Sequence, residues 1–198
     1  MKTSEFEKYL NIETEGDQQG FPKKLDYHRY EPTPYKAVEQ LFDEYVLPTD
    51  AVCVDIGCGK GRVPIYIHEK FHVAAKGIEM DPKFFAAAEY NLQQYKAKHP
   101  VKHGSIEFLH EIAEQHVIEQ DENVFFFFNP FSINIFRKVF RNIVRSAEQH
   151  PREIYFIFYY PSPDYLEFLF EQAEVMFHQE VSLTGERNKN ERIFIFKM

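Results

Sequence analysis

The residues best suited to hold a ligand lie in segment 54–62, which reads Val-Asp-Ile-Gly-Cys-Gly-Lys-Gly-Arg. Asp55 precedes three glycines at alternate positions, Gly57, Gly59 and Gly61. Because glycine has no Cβ atom, the backbone there can turn tightly and approach a ligand closely. An apolar run precedes the segment and apolar residues at helical spacing follow it, so free amides at a helix start would face ligand oxygens. The segment therefore predicts a binding loop between a strand and a helix.

Glu79 is the second candidate, because it ends the next apolar run about twenty residues after the glycines. A carboxylate at this place can accept two hydrogen bonds in one plane, which suits the two hydroxyls of a ribose. A dinucleotide-binding loop would have its third glycine where Arg62 stands, which argues against a pyrophosphate ligand. An NAD-dependent oxidoreductase stays open as an alternative, since it would share the carboxylate.

The pattern Asp55-x-Gly57-x-Gly59-x-Gly61 resembles the first motif of class I S-adenosylmethionine-dependent methyltransferases, of a small bacterial type with unassigned substrate. The resemblance covers about residues 51–198. It implies that the cofactor is S-adenosyl-L-methionine, with its methionine part on the loop and its ribose on Glu79. The cofactor-binding residues expected from it are Asp55, Gly57, Cys58, Gly59, Gly61, Glu79, Met80, Asn129, Thr33 and Tyr30. The family also often places an acidic residue near adenine, and Glu111 or Glu107 could serve there.

The segment Asn129-Pro130-Phe131 follows a very apolar run and is the candidate for the chemistry. It is similar to the Asn-Pro-Pro-aromatic segment of methyltransferases that act on planar amino groups. There the asparagine oxygen and a proline carbonyl accept hydrogen bonds from the substrate nitrogen and aim its lone pair at the methyl carbon. We therefore expect Asn129 and Phe131 to be catalytic. One proline of the segment is missing, so an amino nitrogen is one candidate acceptor, and oxygen and carbon stay open. The alternative is that Pro130 only stiffens the chain at the end of the strand and that the segment has no catalytic role.

The proline-rich string Tyr30-Glu31-Pro32-Thr33-Pro34-Tyr35 lies before the predicted domain and resembles segments that small bacterial methyltransferases fold over the cofactor. We predict an N-terminal arm and helix over residues 1–45 that forms a lid, and a methyltransferase domain over residues 46–198. Tyr30 and Tyr35 would line the pocket, and Thr33 would offer a hydroxyl to the methionine end. A packed arm that only fixes the path of the chain is the alternative.

The expected reaction is an in-line displacement at the sulfonium methyl, in which the protein contributes position and desolvation. Such a reaction requires no dedicated nucleophile, so no metal and no covalent intermediate are expected. Because no catalytic acid or base is evident, a non-catalytic protein that binds S-adenosylmethionine also stays open.

Short apolar runs alternate with amphipathic stretches after residue 50, which is typical of βα units that feed a parallel sheet. We predict an α/β fold: a Rossmann-like, seven-stranded, mostly parallel sheet with helices on both faces and a C-terminal antiparallel hairpin. The predicted strands are residues 51–55, 72–79, 105–109, 123–128, 154–160, 175–183 and 192–197. Helices are predicted at about residues 36–45 and 132–149, from Pro82 onward, and from Pro163 to about Ala173, the last two after Asp81 and Ser162 as N-caps.

Composition excludes several classes of protein. Hydrophobic residues make up 44% and charged residues 27% of the 198, as in ordinary globular domains. The net charge of −8 favours a small-molecule or protein substrate over nucleic acid, with RNA still open. The apolar runs are too short to cross a membrane and the N-terminus does not resemble a signal peptide, so we expect a cytoplasmic protein. The excess of phenylalanine, 21 residues, is expected to fill the core.

Overall fold

A seven-stranded sheet forms the centre of the protein. The structure is a computed structural model and describes residues 2–16, 26–100, 104–185, 188 and 190–198. In chain order the strands are β1 (Val52–Ile56), β2 (Ala74–Glu79), β3 (Ile106–His110), β4 (Val124–Phe127), β5 (Tyr155–Tyr159), β6 (Met176–Ser182) and β7 (Arg192–Lys197). They lie side by side in the order β3-β2-β1-β4-β5-β7-β6. The first five are parallel, and β7 runs antiparallel to both β5 and β6.

Helices cover both faces of this sheet, so the predicted fold class is confirmed. They are α1 (Thr3–Leu10), α2 (Tyr35–Glu44), α3 (Arg62–Phe71), α4 (Pro82–Lys98), α5 (Ile133–Gln149) and α6 (Pro163–Phe170). Buried side chains of α1 to α4 share one hydrophobic cluster with one set of strand residues, and those of α5 and α6 share a second cluster with the alternate set. The phenylalanines fill this second cluster, as predicted. Six of them are fully buried, with exposed fractions of 0%: Phe125, Phe127, Phe136, Phe156, Phe158 and Phe196.

Local capping determines where the helices next to the site begin. The Asp81 carboxylate accepts a hydrogen bond from the backbone N–H of Lys83 at 2.8 Å, and Pro82 is the first residue of α4. Ser162 and Pro163 begin α6 in the same way, with Tyr165 N–H donating to the Ser162 hydroxyl. Both helices begin where they were predicted to begin. The capping side chain accepts a hydrogen bond from a free backbone N–H of the first turn, and the proline that follows has a φ angle suited to a helix. The start of α4 directly after Glu79 holds the chain close to the end of β2.

Two features differ from the expectations. The helix α1 was not expected from the sequence; it has eight residues and buries only Phe6 and Leu10 on one face. Such a short stretch carries too few apolar positions for a clear 3.6-residue period. The second difference is that α6 ends at Phe170 rather than near Ala173.

The division of the chain at residue 45 stays a prediction. Within the described ranges, no helix combines the length and the apolar character that crossing a membrane requires.

Candidate functional site

A cavity of about 230 Å³ lies at the carboxyl edge of the parallel strands. The loops after β1, β2, β3 and β4 all contribute to it, because parallel strands end at the same edge of a sheet. Segment 27–33, which precedes α2, contributes the opposite side of the cavity. Ligands of open α/β sheets bind at this edge, so the cavity is the candidate site.

The glycine loop keeps its bend through positive φ angles and backbone hydrogen bonds. Gly57, Gly59 and Gly61 have φ values of +84°, +55° and +85°, a region that glycine adopts at little cost. The N–H groups of Gly57 and Cys58 both donate to the carbonyl oxygen of Ile78, at 2.9 and 3.1 Å. A Cβ atom at Gly57 would lie 2.8 Å from the Pro130 side chain. The loop is therefore held against the end of β2 and packs closely on the segment after β4.

The Glu79 carboxylate reaches this loop directly. Its Oε2 accepts a hydrogen bond from the N–H of Gly59 at 2.9 Å, and its Oε1 accepts one from the N–H of Asp81 at 2.7 Å. Each oxygen keeps a further lone pair for a ligand. Burial raises the pKa of Glu79 above its ordinary value, although these backbone bonds act in the opposite direction. One ligand can therefore contact both the glycine bend and Glu79.

Asp55 adds a second buried carboxylate to the same cavity. It is 7% exposed, and burial together with the charge of Glu79 raises the pKa of Asp55 well above its ordinary value. Within the described part of the chain, neither Asp55 nor Glu79 forms an ion pair with a cationic side chain. Two desolvated carboxylates without a cation favour a positively charged ligand.

Arg62 is the important residue that sequence reasoning missed. It is 5% exposed and lines the cavity at the first position of α3. Its guanidinium donates to the Thr14 hydroxyl at 2.6 Å, the Thr33 carbonyl at 2.9 Å and the Glu7 carboxylate at 3.2 Å. It also lies 4.4 Å from the centre of the Tyr35 ring. Arg62 thus connects the glycine loop to α1 and to the segment before α2. The only sequence signal was an arginine in place of a third glycine.

Tyr30 packs on the glycine loop from the N-terminal segment. Its hydroxyl donates to the Thr14 carbonyl oxygen at 2.7 Å, and its ring lies 4.5 Å from that of Phe84. Tyr30 and Thr33 line the cavity, whereas Tyr35 does not. The expectation that Tyr35 lines the pocket is therefore wrong. Its ring is instead fully buried, where it stacks on Phe6 at 4.5 Å.

The segment after β4 pairs with the N-terminal segment. The N–H of His28 donates to the carbonyl oxygen of Pro130 at 3.0 Å, and its ring Nδ1 donates to that of Asn129 at 2.6 Å. Phe131 forms an antiparallel bridge with Tyr27. Asn129 has a φ of +41°, and its buried Oδ1 has no hydrogen-bond partner among the described residues. An unpaired acceptor therefore lies beside the cavity.

The predicted site residues fall into two groups. The cavity is lined by Tyr30, Thr33, Asp55, Gly57, Cys58, Glu79, Met80 and Phe131. The residues outside its lining are Gly59, Gly61 and Asn129. Gly59 packs on Tyr30 and Gly61 on Phe108, so both shape the loop. Of the two candidate acids after the third strand, Glu111 lines the cavity and Glu107 does not. The functional roles of all these residues stay predictions.

We expect the substitution Gly59→Ala to lower the stability of the fold by about 2–3 kcal/mol. A Cβ atom there would lie 2.1 Å from the Tyr30 ring, in addition to the strain of a positive φ. Gly16→Ala is the matched control, because Gly16 also has a positive φ, +89°, but no described residue lies within 4 Å of its Cβ position. Denaturant unfolding measures both variants. Equal losses in the two would show that Tyr30 does not pack tightly on the loop.

Solved structures with the same fold are methyltransferases. A tRNA (uracil-54, C5)-methyltransferase from Pyrococcus abyssi, in complex with S-adenosyl-L-homocysteine, aligns with a TM-score of 0.59 at 15% identity over 85% of this chain. The present chain covers 39% of that protein. An RNA methyltransferase from Salinibacter ruber, also with S-adenosyl-L-homocysteine, aligns with a TM-score of 0.54 at 16% identity over 83% of this chain and 92% of its own.

A small-molecule enzyme is similar to the same degree. Magnesium protoporphyrin IX methyltransferase from Synechocystis PCC 6803, with its cofactor bound, aligns with a TM-score of 0.54 at 14% identity over 81% of this chain and 75% of its own. No protein-family model and no curated protein matches the sequence. The chain thus has the class I methyltransferase fold, while these neighbours differ in what they methylate.

Proposed function

We propose that this protein is an S-adenosylmethionine-dependent methyltransferase whose cofactor lies across the ends of β1, β2 and β3. The observation that supports the proposal is the contact between Glu79 and Gly59, which brings a carboxylate suited to ribose hydroxyls next to a glycine bend at one cavity. The side chains also fit the charge of the cofactor, because the carboxylates of Asp55 and Glu79 are buried and form no ion pair with a cation among the described residues, which suits a sulfonium cation.

The loops after β1, β2 and β3 would each bind a different part of the cofactor. The loop at 57–61 and the start of α3 would hold the methionine part, with backbone N–H groups available to its carboxylate. Glu79 would accept hydrogen bonds from the ribose hydroxyls through its two remaining lone pairs. Met80 and Glu111 would lie beside the base, since they follow Glu79 toward the edge of the sheet.

When bound, S-adenosylmethionine supplies an electrophilic methyl group on a positively charged sulfur. The chain would contribute position and the exclusion of water, which are the main needs of an in-line transfer. Segment 26–34 would act as the lid, with Tyr30 against the glycine loop and Thr33 held by Arg62. The positive charge of the ligand would favour the ionised form of Asp55, which would in turn stabilise the bound ligand.

An amino nitrogen is the acceptor that the segment after β4 fits best. The Oδ1 of Asn129 has no hydrogen-bond partner among the described residues, but it is buried and lies outside the cavity lining, so the chain around it would have to move before it could accept a substrate N–H. The carbonyl oxygens of Asn129 and Pro130 each accept one hydrogen bond from His28 and keep a second lone pair. A small molecule or a protein suits the net charge of −8 better than RNA, although methyltransferases of RNA share the fold.

Titration calorimetry tests the cofactor. We expect S-adenosylmethionine and S-adenosylhomocysteine to bind with micromolar dissociation constants and NAD to give no heat. Binding of NAD alone would overturn the proposal in favour of an oxidoreductase.

Methyl transfer is tested by incubating the protein and labelled cofactor with separated RNA, protein and metabolite fractions. Binding without label in any fraction would identify a cofactor-binding protein that is not an enzyme.

A further inference from the structure

A buried chain of charged side chains ends in the cavity at Glu111. Nδ1 of His116 lies 2.9 Å from the Glu111 carboxylate, and Nε2 lies 3.2 Å from that of Glu122. Lys76, on β2, donates to the other oxygen of Glu122 at 2.9 Å. The exposed fractions of the side chains are 0% for Glu122, 4% for His116, 8% for Lys76 and 43% for Glu111. Only the Glu111 end of this chain reaches the cavity.

The geometry determines the protonation state of His116. Ionised carboxylates only accept hydrogen bonds, whereas a neutral imidazole has a single N–H. A ring that is bonded to a carboxylate at each nitrogen must therefore be an imidazolium. Burial alone would lower the pKa of His116, but the bonds to Glu122 and Glu111 outweigh it and raise the pKa above its ordinary value. Burial alone would likewise raise the pKa of Glu122, and the bonds from His116 and Lys76 lower it.

Other charged groups surround Glu122, the buried partner of His116. Glu119 bonds Lys76 at 2.5 Å and presents its N–H to Glu122 at 3.1 Å. From the segment before β5, Arg152 donates to the backbone carbonyl of Glu122 at 2.8 Å. The helix α5 contacts this region through two uncharged side chains, Asn142 and Ser146. His116 is thus the cation that stands directly between Glu122 and the cavity carboxylate.

Glu111 lies where the base of the proposed cofactor would be. The loop after β1 and Glu79 after β2 would take the methionine and the ribose, and Glu111 follows β3, the next strand outward. Its N–H donates to the backbone carbonyl of Glu79 at 3.2 Å, so the two residues are in direct contact. A fixed carboxylate accepts from the 6-amino group of adenine, whereas a 6-oxo group brings a second acceptor and no donor at that position.

We propose that His116 is a positioning residue that fixes the Glu111 carboxylate toward the cavity, so that the site selects a 6-aminopurine over a 6-oxopurine. This inference rests on the proposed function. The imidazolium loses its second N–H when it is deprotonated. It then retains one carboxylate, and the exposed Glu111 is the partner that is released, since Glu122 is fully buried. The selectivity is therefore present while His116 is protonated and is lost as the pH rises through its pKa.

The test compares S-adenosylhomocysteine with S-inosylhomocysteine, in which a 6-oxo group replaces the 6-amino group and N1 carries a hydrogen. In the unmodified protein we expect S-adenosylhomocysteine to bind at least about tenfold more tightly near pH 6.5, because a hydrogen bond to a charged group is lost with the analogue. In His116→Gln the ratio should fall below about threefold and no longer change with pH. Glu111→Ala should have the same effect, and it leaves the bonds of His116 and Lys76 to Glu122 in place.

His68→Gln is the matched control, because His68 is also buried, 2% exposed, and its Nδ1 donates to the carbonyl oxygen of Val73, away from the cavity. It should keep the full selectivity, and thermal unfolding shows that each variant is folded. Retained selectivity in Glu111→Ala, or in folded His116→Gln, would overturn the inference. Equal binding of both ligands to the unmodified protein would overturn it and leave the proposed function standing, whereas binding of neither would overturn both.

Discussion

Replacing Glu79 by glutamine is expected to weaken the binding of S-adenosylmethionine about 100-fold, a loss of about 2.7 kcal/mol. Both oxygens of Glu79 already accept one backbone N–H each, from Gly59 and Asp81. The glutamine amide would direct an NH₂ group at one of these donors and would leave one oxygen for two ribose hydroxyls. It would also remove one of the two negative charges near the sulfonium. Charge-assisted bonds of this kind contribute about 1.5–3 kcal/mol each.

Glu107→Gln is the matched control for this prediction. Glu107 lies on the neighbouring strand β3, is exposed and does not line the cavity. The change should therefore leave the affinity within about twofold, because a distant, solvated carboxylate contributes little. Calorimetry on both variants, with circular dichroism to verify the fold, makes the comparison. An affinity of Glu79→Gln within threefold of the parent would mean that Glu79 only closes the loop and does not hold the ribose.

The sequence predicted those features of the site that depend on residues close together along the chain. The glycine spacing, the carboxylate that ends the next strand and the cap at Asp81 and Pro82 each depend on neighbouring residues, and the structure has them where they were expected. The periods of the buried runs likewise predicted the strands and the hairpin. These features follow from backbone geometry and from alternation between the core and solvent.

The part that was missed depends on contacts between distant positions. Arg62 is separated by 48 positions from Thr14 and by 55 from Glu7, and His28 is separated by 101 from Asn129. Nothing in the spacing of these residues indicates that they meet. The sequence also predicted a terminal hairpin without showing that β7 would lie between β5 and β6. Such placements are decided by packing, which a single sequence does not reveal.

The last prediction concerns the buried arginine. Arg62→Leu is expected to lower the free energy of unfolding by about 3–5 kcal/mol, because it leaves the Glu7 carboxylate without its cation and removes the bonds to Thr14 and Thr33. For a chain of this length that loss corresponds to a fall in Tm of roughly 6–20 °C. Urea unfolding of the purified protein, without cofactor, measures it.

Arg192→Leu is a closely matched control. Arg192 also pairs with a glutamate, Glu180, at 3.2 Å and also lies over an aromatic ring, that of Phe194 at 4.9 Å. The side chains of this pair are 39% and 34% exposed, against 6% and 12% for Arg62 and Glu7. Exposed ion pairs contribute about 0–1 kcal/mol, so the burial of Arg62 and its bonds to Thr14 and Thr33 should separate the two variants. The double variant with Glu7→Leu should recover part of the loss, because no unpaired charge then remains buried. If Arg62→Leu were as mild as Arg192→Leu, Arg62 would not be what holds the N-terminal segment on the glycine loop.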